Sequence, residues 1–86
     1  MEHAMIQDQE LLERITMDRE ILTGKPVIKG TRLSVQFILN LLAHGETIDS
    51  VLAEYPYLTR EDIQACMLFA NRVLDDTLFV PLAKTA

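Results

Sequence analysis

Between Gly24 and Gly30 the chain is punctuated three times in seven residues, by Gly24, Pro26 and Gly30. This stretch most constrains the rest. Gly24 tolerates a positive φ, and Pro26 fixes its own φ and pushes Lys25 toward extended geometry. Val27-Ile28 reads as a short strand, Gly30 turns the chain, and Ser34 is a good N-cap for the apolar run that follows. Leu22–Ser34 therefore joins an extended N-terminal part to a helical C-terminal part. It also carries Lys25, Lys29 and Arg32, three of the eight basic residues, so positive charge collects at the joint.

Eighty-six residues make a single domain, 1–86. A chain of this length buries only about 60–65% of its unfolded surface, so a monomer is marginally stable. Apolar residues make up 49% and the mean hydropathy is +0.13, which is rich for so short a chain. No apolar run approaches the roughly 20 residues that span a bilayer, and no membrane association is expected. Met1-Glu2-His3-Ala4 has no basic region before an apolar core and does not read as a secretory signal. One cysteine, Cys66, cannot staple the fold internally, so a reducing cytoplasm is the expected location. High apolar content without disulfide or metal motif predicts that oligomerisation completes the fold.

The net charge of −5, with a pI near 4.8, argues against a non-specific nucleic-acid coat. The charge is uneven: residues 1–13 sum to −4, 14–32 to +3 and 33–86 to −4. A basic segment thus lies between two acidic ones, and its signs could simply pair across the surface.

In chain order, Met1–Asp8 shows no clean period and is expected to fray. Gln9–Glu13 could form one helical turn, with Leu11 and Leu12 on its apolar side. Arg14-Ile15-Thr16-Met17 alternates polar and apolar, the period of a half-buried strand. Asp18-Arg19-Glu20 reads as a turn. Val27-Ile28 could pair with the Ile15 strand or with its copy in a second subunit. Ser34 opens a helix from Val35 to His44, with Val35, Ile38, Leu39 and Leu42 on one face and Phe37 and Leu41 on another. A helix with two apolar faces needs two partners, and Ile15, Met17, Phe37 and Leu41 are the candidate dimer contacts. Gly45 ends this helix. Thr47 caps the next, with Ile48, Val51, Leu52 and Tyr55 inward and Pro56 as its stop. Thr59 caps the third, with Glu61 and Asp62 in its first turn and Ile63, Cys66, Met67, Ala70 and Leu74 inward, running to about Val73–Asp75. The chain divides into an N-terminal extended, basic segment (1–33), a three-helix core (34–75) and a tail (76–86). The fold class is mainly α: a helix-turn-helix core with a short N-terminal strand or hairpin, completed in a dimer.

The run Ile15-Thr16, Asp18, Ile21-Leu22, Gly24-Lys25-Pro26-Val27-Ile28-Lys29-Gly30-Thr31-Arg32, then Tyr55-Pro56, Leu58-Thr59 and Glu61-Asp62-Ile63, closely resembles the bacterial domain-of-unknown-function family 433. The resemblance covers roughly residues 11–82, and the Gly-Lys-Pro … Gly-Thr-Arg segment is its hallmark. Arg19 stands where a proline is usual and Thr23 where a glycine is common. The resemblance implies a homeodomain-like or winged-helix-like helix-turn-helix protein, and an antitoxin-like partner of a small PIN-like ribonuclease toxin.

Several residues are candidates for function. Lys25, Lys29 and Arg32 could contact phosphates or a partner's acidic site; Arg32 could instead pair with Asp18 or Glu20. Alternation would put Lys25, Val27 and Lys29 on one side of the strand and leave Ile28 to the core. Thr31 reads as a turn-stabilising hydroxyl, because no base is recognisable near it. In a helix-turn-helix, Arg60 could read guanine and Gln64 adenine, but Glu61 and Asp62 in the same turn repel phosphates, which favours a capped structural helix. Cys66 lies on an apolar face and reads as an inert core residue. His44 and Cys66 alone do not make a metal or haem ligand set, so no metal and no cofactor are expected. The adjacent pairs Glu61-Asp62 and Asp75-Asp76 diverge by about 100° on a helix and offer no acid–base pair, and no enzymatic activity is expected. Leu78, Phe79, Val80 and Leu82 form an apolar tail with Pro81 inside it, a candidate partner-binding segment.

The resemblance, favoured by the apolar tail and the acidic balance, implies a homodimeric, antitoxin-like module that binds a PIN-like ribonuclease and could also bind its own promoter DNA. The alternatives are a stand-alone helix-turn-helix regulator and a cofactor or metal sensor using Cys66 or His44.

Overall fold

The computed structural model describes residues 2–75, with side chains from Gln7 onward. The described chain runs α1 (Glu2–Leu12), β1 (Ile15–Met17), a short 3₁₀ turn (Leu22–Gly24), β2 (Pro26–Ile28), α2 (Val35–Ala43), α3 (Ile48–Glu54) and α4 (Arg60–Asp75). The mainly helical class and the three core helices α2–α4 are those the sequence predicts. No described helix is long and apolar enough to cross a membrane.

The stretch expected to fray, Met1–Asp8, is helical from Glu2. Its composition (Glu, Ala, Met, Gln, Leu) suits a helix, but it lacks the apolar period that would announce one. The helix is held from outside: α1 lies against α4, and Arg72 Nη2 reaches Asp8 Oδ2 at 2.8 Å.

The hairpin closes within the chain. β1 and β2 pair antiparallel in the register Ile15 with Ile28, Thr16 with Val27, and Met17 with Pro26. Val27 also bridges to Ser34. Ile28 enters the core as expected, but Val27 is fully buried too. It therefore does not share an open side with Lys25 and Lys29: Val27 is paired with Thr16 on one edge and with Ser34 on the other, and α2 packs against β2.

The caps are the predicted ones. Ser34 Oγ accepts from the Phe37 N–H at 2.9 Å, and Thr47 and Ser50 form a reciprocal capping box at 3.0 Å in both directions. At the end of α2, the Gly45 N–H reaches the Leu42 carbonyl and the Glu46 N–H the Leu41 carbonyl, both at 3.1 Å, with Gly45 at φ 99°. That is a Schellman motif, and its left-handed residue is the glycine the sequence places there.

Ile28, Val35, Ile38, Val51, Leu58, Ile63 and Cys66 form the core, with Leu39, Leu42, Ile48, Leu52 and Tyr55 packed around it. On α4 the prediction needs correcting. Ile63 and Cys66 are buried, joined by Ala65, but Met67 and Leu74 are exposed. Met67 lies a further 100° round the helix from Cys66. Leu74 lies where α4, with 16 residues, extends beyond the shorter α2 and α3, with 9 and 7. Of the candidate dimer contacts, Ile15 and Leu41 pack on this core, whereas Met17 and Phe37 are exposed.

The loop between the strands contains strain. Leu22, Thr23 and Gly24 have φ of 50°, 55° and 88°. A β-branched residue in the left-handed region is disfavoured by about 1–2 kcal/mol. Thr23 is exposed, and the one hydrogen bond of its hydroxyl, 2.6 Å, goes to the adjacent Leu22 carbonyl. Thr23→Gly should therefore raise the stability by about 0.5–1 kcal/mol, net of glycine's greater unfolded-state entropy. Urea titration measures it; an unchanged or lower midpoint would show that the turn is not strained.

A basic turn docked on the head of the last helix

Ile28-Lys29-Gly30-Thr31 makes a tight turn. The Thr31 N–H reaches the Ile28 carbonyl at 3.0 Å, and Gly30, at φ 83°, supplies the positive angle that a type II turn requires at its third residue. The Thr31 hydroxyl donates to the Ile28 carbonyl at 2.8 Å and accepts from the Leu33 N–H at 3.0 Å. It is the turn-stabilising hydroxyl the sequence suggests. The Ile28 N–H returns to the Leu33 carbonyl at 3.0 Å, which closes the loop. Lys29 and Arg32 are held on either side of this turn.

The turn is attached to α4 through one residue, Arg14. Its carbonyl accepts from the Lys29 N–H at 2.7 Å, extending the hairpin ladder by one rung. Its guanidinium reaches Asp62 Oδ1 at 3.1 Å and Thr59 Oγ1 at 3.4 Å. Asp62 Oδ2 accepts from the Thr59 N–H at 2.9 Å, and the Asp62 N–H donates to Thr59 Oγ1 at 3.2 Å. Thr59 and Asp62 thus form a capping box in which the third-position acid also carries an ion pair. Asp62 is only 8% exposed, and both its oxygens are occupied. The sequence held half of this signal: the Thr59-x-x-Asp62 spacing marks a capping box. Nothing in it linked Asp62 to Arg14, 48 positions away.

The expected nucleic-acid residues fall into three separate places. Lys29 and Arg32 share an open cavity of about 430 Å³ with Tyr57 and Asp62. Lys25 lines a different, apolar groove beside Pro26 and Ser34. Arg60 is drawn to Asp49, Nη2 to Oδ1 at 2.6 Å, and Gln64 lines a cleft between α1 and α4 with Glu10 and Glu61. Lys25, Lys29 and Arg32 make no ion pair among the described residues; Asp18, one of the suggested partners of Arg32, caps its own turn by accepting from the Glu20 N–H at 2.9 Å.

An aromatic run adjoins the basic turn. Phe37 on α2 meets Tyr55 edge to face, with ring centres 6.0 Å apart. Tyr55 meets Tyr57 in the same manner at 6.4 Å. Phe37 is 37% exposed and Tyr57 63%. Sequence reading placed Phe37 and Tyr55 on separate helices without linking them, and did not single out Tyr57.

Cys66 is fully buried. Burial, and secondarily the Asp62 charge, push its thiol from 9.0 up to about 12. His44 is exposed at the end of α2, its Nδ1 2.8 Å from the Asn40 carbonyl. Among the described residues no three His, Cys, Asp or Glu side chains cluster as a metal site. The tail candidates Leu78, Phe79, Val80 and Leu82 lie outside the described residues.

A family model described as "Protein of unknown function (DUF433)" matches residues 15–70. Among curated proteins, the uncharacterized protein y4eO of Sinorhizobium fredii is 33% identical over 59 residues, which is 69% of this chain and 27% of that one. The chain therefore spans about a quarter of that relative's length. Among solved structures, a DUF433 member protein from Anabaena variabilis aligns with a TM-score of 0.70 at 26% identity, over 86% of this chain and 73% of that one. The family match takes in the hairpin, the basic turn, α2, α3 and most of α4, and leaves out α1 and the last turn of α4.

Two outcomes follow for this junction. Asp62→Ala removes the cap and leaves the Arg14 guanidinium without its partner. It should cost about 2–4 kcal/mol, and Asp62→Asn, which keeps an oxygen for the Thr59 N–H, should cost less. Denaturant titration of both variants checks the order; equal losses would mean that the cap hydrogen bond contributes nothing and that the whole loss comes from the ion pair. The Cys66 thiol loses its proton near pH 9 when unfolded and near pH 12 when folded, so its contribution is complete below pH 9 and declines as pH rises toward 12. Between those limits the stability difference between the wild type and Cys66→Ala should change with pH by about 1.4 kcal/mol per unit, to the disadvantage of the wild type. A pH-independent difference would contradict the buried-thiol account.

Proposed function

The chain belongs to the DUF433 family, and from that membership we propose that it is a protein-binding module of antitoxin type that neutralises a PIN-like ribonuclease. The observation that carries the reading is the aromatic run Phe37–Tyr55–Tyr57, exposed at Phe37 and Tyr57 and half-buried at Tyr55, which ends at the cavity shared with Lys29 and Arg32. Contiguous exposed aromatics beside polar groups are what protein interfaces use as anchors. The overall charge of −5 agrees, because an acidic neutraliser is drawn to a basic RNA-binding enzyme. The proposal places the chain in the cytoplasm as a homodimer, with the exposed Met17 and Phe37 as contacts for self-association.

Promoter binding is a second reading. It is favoured by Lys25, Lys29 and Arg32 standing without ion pairs among the described residues. It is disfavoured at the start of α4, where Arg60 is held by Asp49 and Gln64 sits with Glu10 and Glu61. A helix so flanked presents carboxylates where a major-groove reader meets phosphates.

The test is titration of the purified chain into a purified PIN-like ribonuclease of the same genome, with cleavage of a fluorescent RNA as the readout. Cleavage should stop near stoichiometry. Tyr57→Ala, which removes an exposed ring, should raise the concentration for half inhibition at least about tenfold, the effect of losing an interface anchor, with unchanged thermal stability. Failure of the wild type to inhibit overturns the antitoxin reading. Full inhibition by Tyr57→Ala overturns the aromatic surface as its basis.

A further inference from the structure

The cavity of about 430 Å³ between the basic turn, Tyr57 and Asp62 has its acceptors and donors in opposite states. The side-chain acceptors are spent. One oxygen of Asp62 is taken by Arg14 and the other by the Thr59 N–H. The Thr31 hydroxyl is taken by the Ile28 carbonyl and the Leu33 N–H. The donors are unspent. The Lys29 ammonium, the Arg32 guanidinium and the Tyr57 hydroxyl make no hydrogen bond or ion pair among the described residues, and neither do the N–H groups of Gly30 and Arg32. Arg14 answers the charge of Asp62 at 3.1 Å, so Lys29 and Arg32 leave the cavity with unanswered positive charge on a chain whose net charge is −5. Glu10 and Glu13 share a neighbouring cavity with Lys29, yet pair with neither cation. The wall is also preformed. The Lys29 N–H is fixed to the Arg14 carbonyl at 2.7 Å and the Thr31 N–H to the Ile28 carbonyl at 3.0 Å, so a ligand meets a turn that is already closed.

We propose that this cavity binds a phosphate group, either free or carried by a nucleoside monophosphate. A guanidinium, an ammonium, a phenol and two amide N–H groups are more donors than a carboxylate, with its two oxygens and single charge, can use. A phosphate monoester brings three strong acceptor oxygens and close to two negative charges. A DNA duplex fits less well, because it presents singly charged phosphates in a row. The cations that would meet neighbouring phosphates stand elsewhere, Lys25 on the groove between α2 and α4 and Arg60 on Asp49. Tyr57, 63% exposed, offers a ring on which the base of a nucleotide can stack. The volume falls within the range of small-molecule pockets. The inference goes beyond the protein-binding reading and does not rest on it.

The test is titration of the nitrogen-15-labelled full chain with sodium phosphate and with AMP, at about pH 8, where both are dianions. No ribonuclease is present, so this inference and the antitoxin reading can fail separately. The amide signals of Gly30 and Arg32 should shift and saturate. Lys29→Ala and Arg32→Ala, whose side chains hold nothing in the fold, should each weaken binding about tenfold, the loss of one charge-assisted hydrogen bond. Lys25→Ala, outside the cavity, should bind as the wild type does. Tighter binding of AMP, lost in Tyr57→Ala, identifies the nucleotide; binding of inorganic phosphate at least as tight identifies the free ion. No saturable shift at Gly30 and Arg32, the same shifts with sodium chloride at matched ionic strength, or equal losses in Lys25→Ala and Lys29→Ala would each overturn the site. A response to a DNA duplex alone would overturn it as well, and would give the turn to promoter DNA.

Discussion

A carboxylate that is 8% exposed must have its charge and both its oxygens answered, and Asp62 has them answered by two distant parts of the chain. Thr59, three residues before it, supplies an N–H, and Arg14, between α1 and β1, supplies a guanidinium. The same Arg14 carries the Lys29 N–H on its carbonyl. The head of α4, the hairpin and the basic turn are therefore joined at one residue pair. Among the described residues the buried core cluster is small, and it leaves little surplus with which to absorb a mispaired buried charge. The pair constrains the fold in a way that a surface ion pair such as Arg60–Asp49, on an exposed carboxylate, does not.

The placement of the other charges follows from this junction. Because β2 and its turn are pinned beside the head of α4, Lys29 and Arg32 open onto a cavity with Tyr57, while Lys25, at the far end of β2, opens onto the groove between α2 and α4. The positive joint that is continuous in sequence is split in space. On the opposite flank, α1 brings Glu10 alongside Glu61 and Gln64. The helix that spacing alone would nominate as a reader of bases is bounded by carboxylates, and this shifts the functional weight toward the aromatic run.

A chain that is 49% apolar and this short cannot hide all its apolar surface within three short helices and a ribbon. Met17, Leu22 and Met67 are exposed singly, and the rest of what is left over among the described residues falls in two places. One part is the edge-to-face series Phe37, Tyr55 and Tyr57, flanked by cations. The other is the groove at the far end of α4, almost without polar groups.

The sequence by itself determined the elements whose causes are local. Ser34, Thr47 and Thr59 as caps, Gly45 as the left-handed stop, Gly30 as the turn and the apolar stripes of α2 and α3 are each decided by residues within a few positions of one another, where hydrogen bonding and backbone sterics act. The tertiary structure alone decided the rest. It made a helix of Glu2–Leu12, whose stability comes from α4 and not from a period of its own. It buried Val27 as well as Ile28, and left Met67 and Leu74 outside. It joined Arg14 to Asp62 across 48 positions, separated Lys25 from Lys29, and linked Phe37 to Tyr57. Burial and charge pairing depend on what lies on the other side of a residue, and that partner is set by how the elements pack, which no local spacing records.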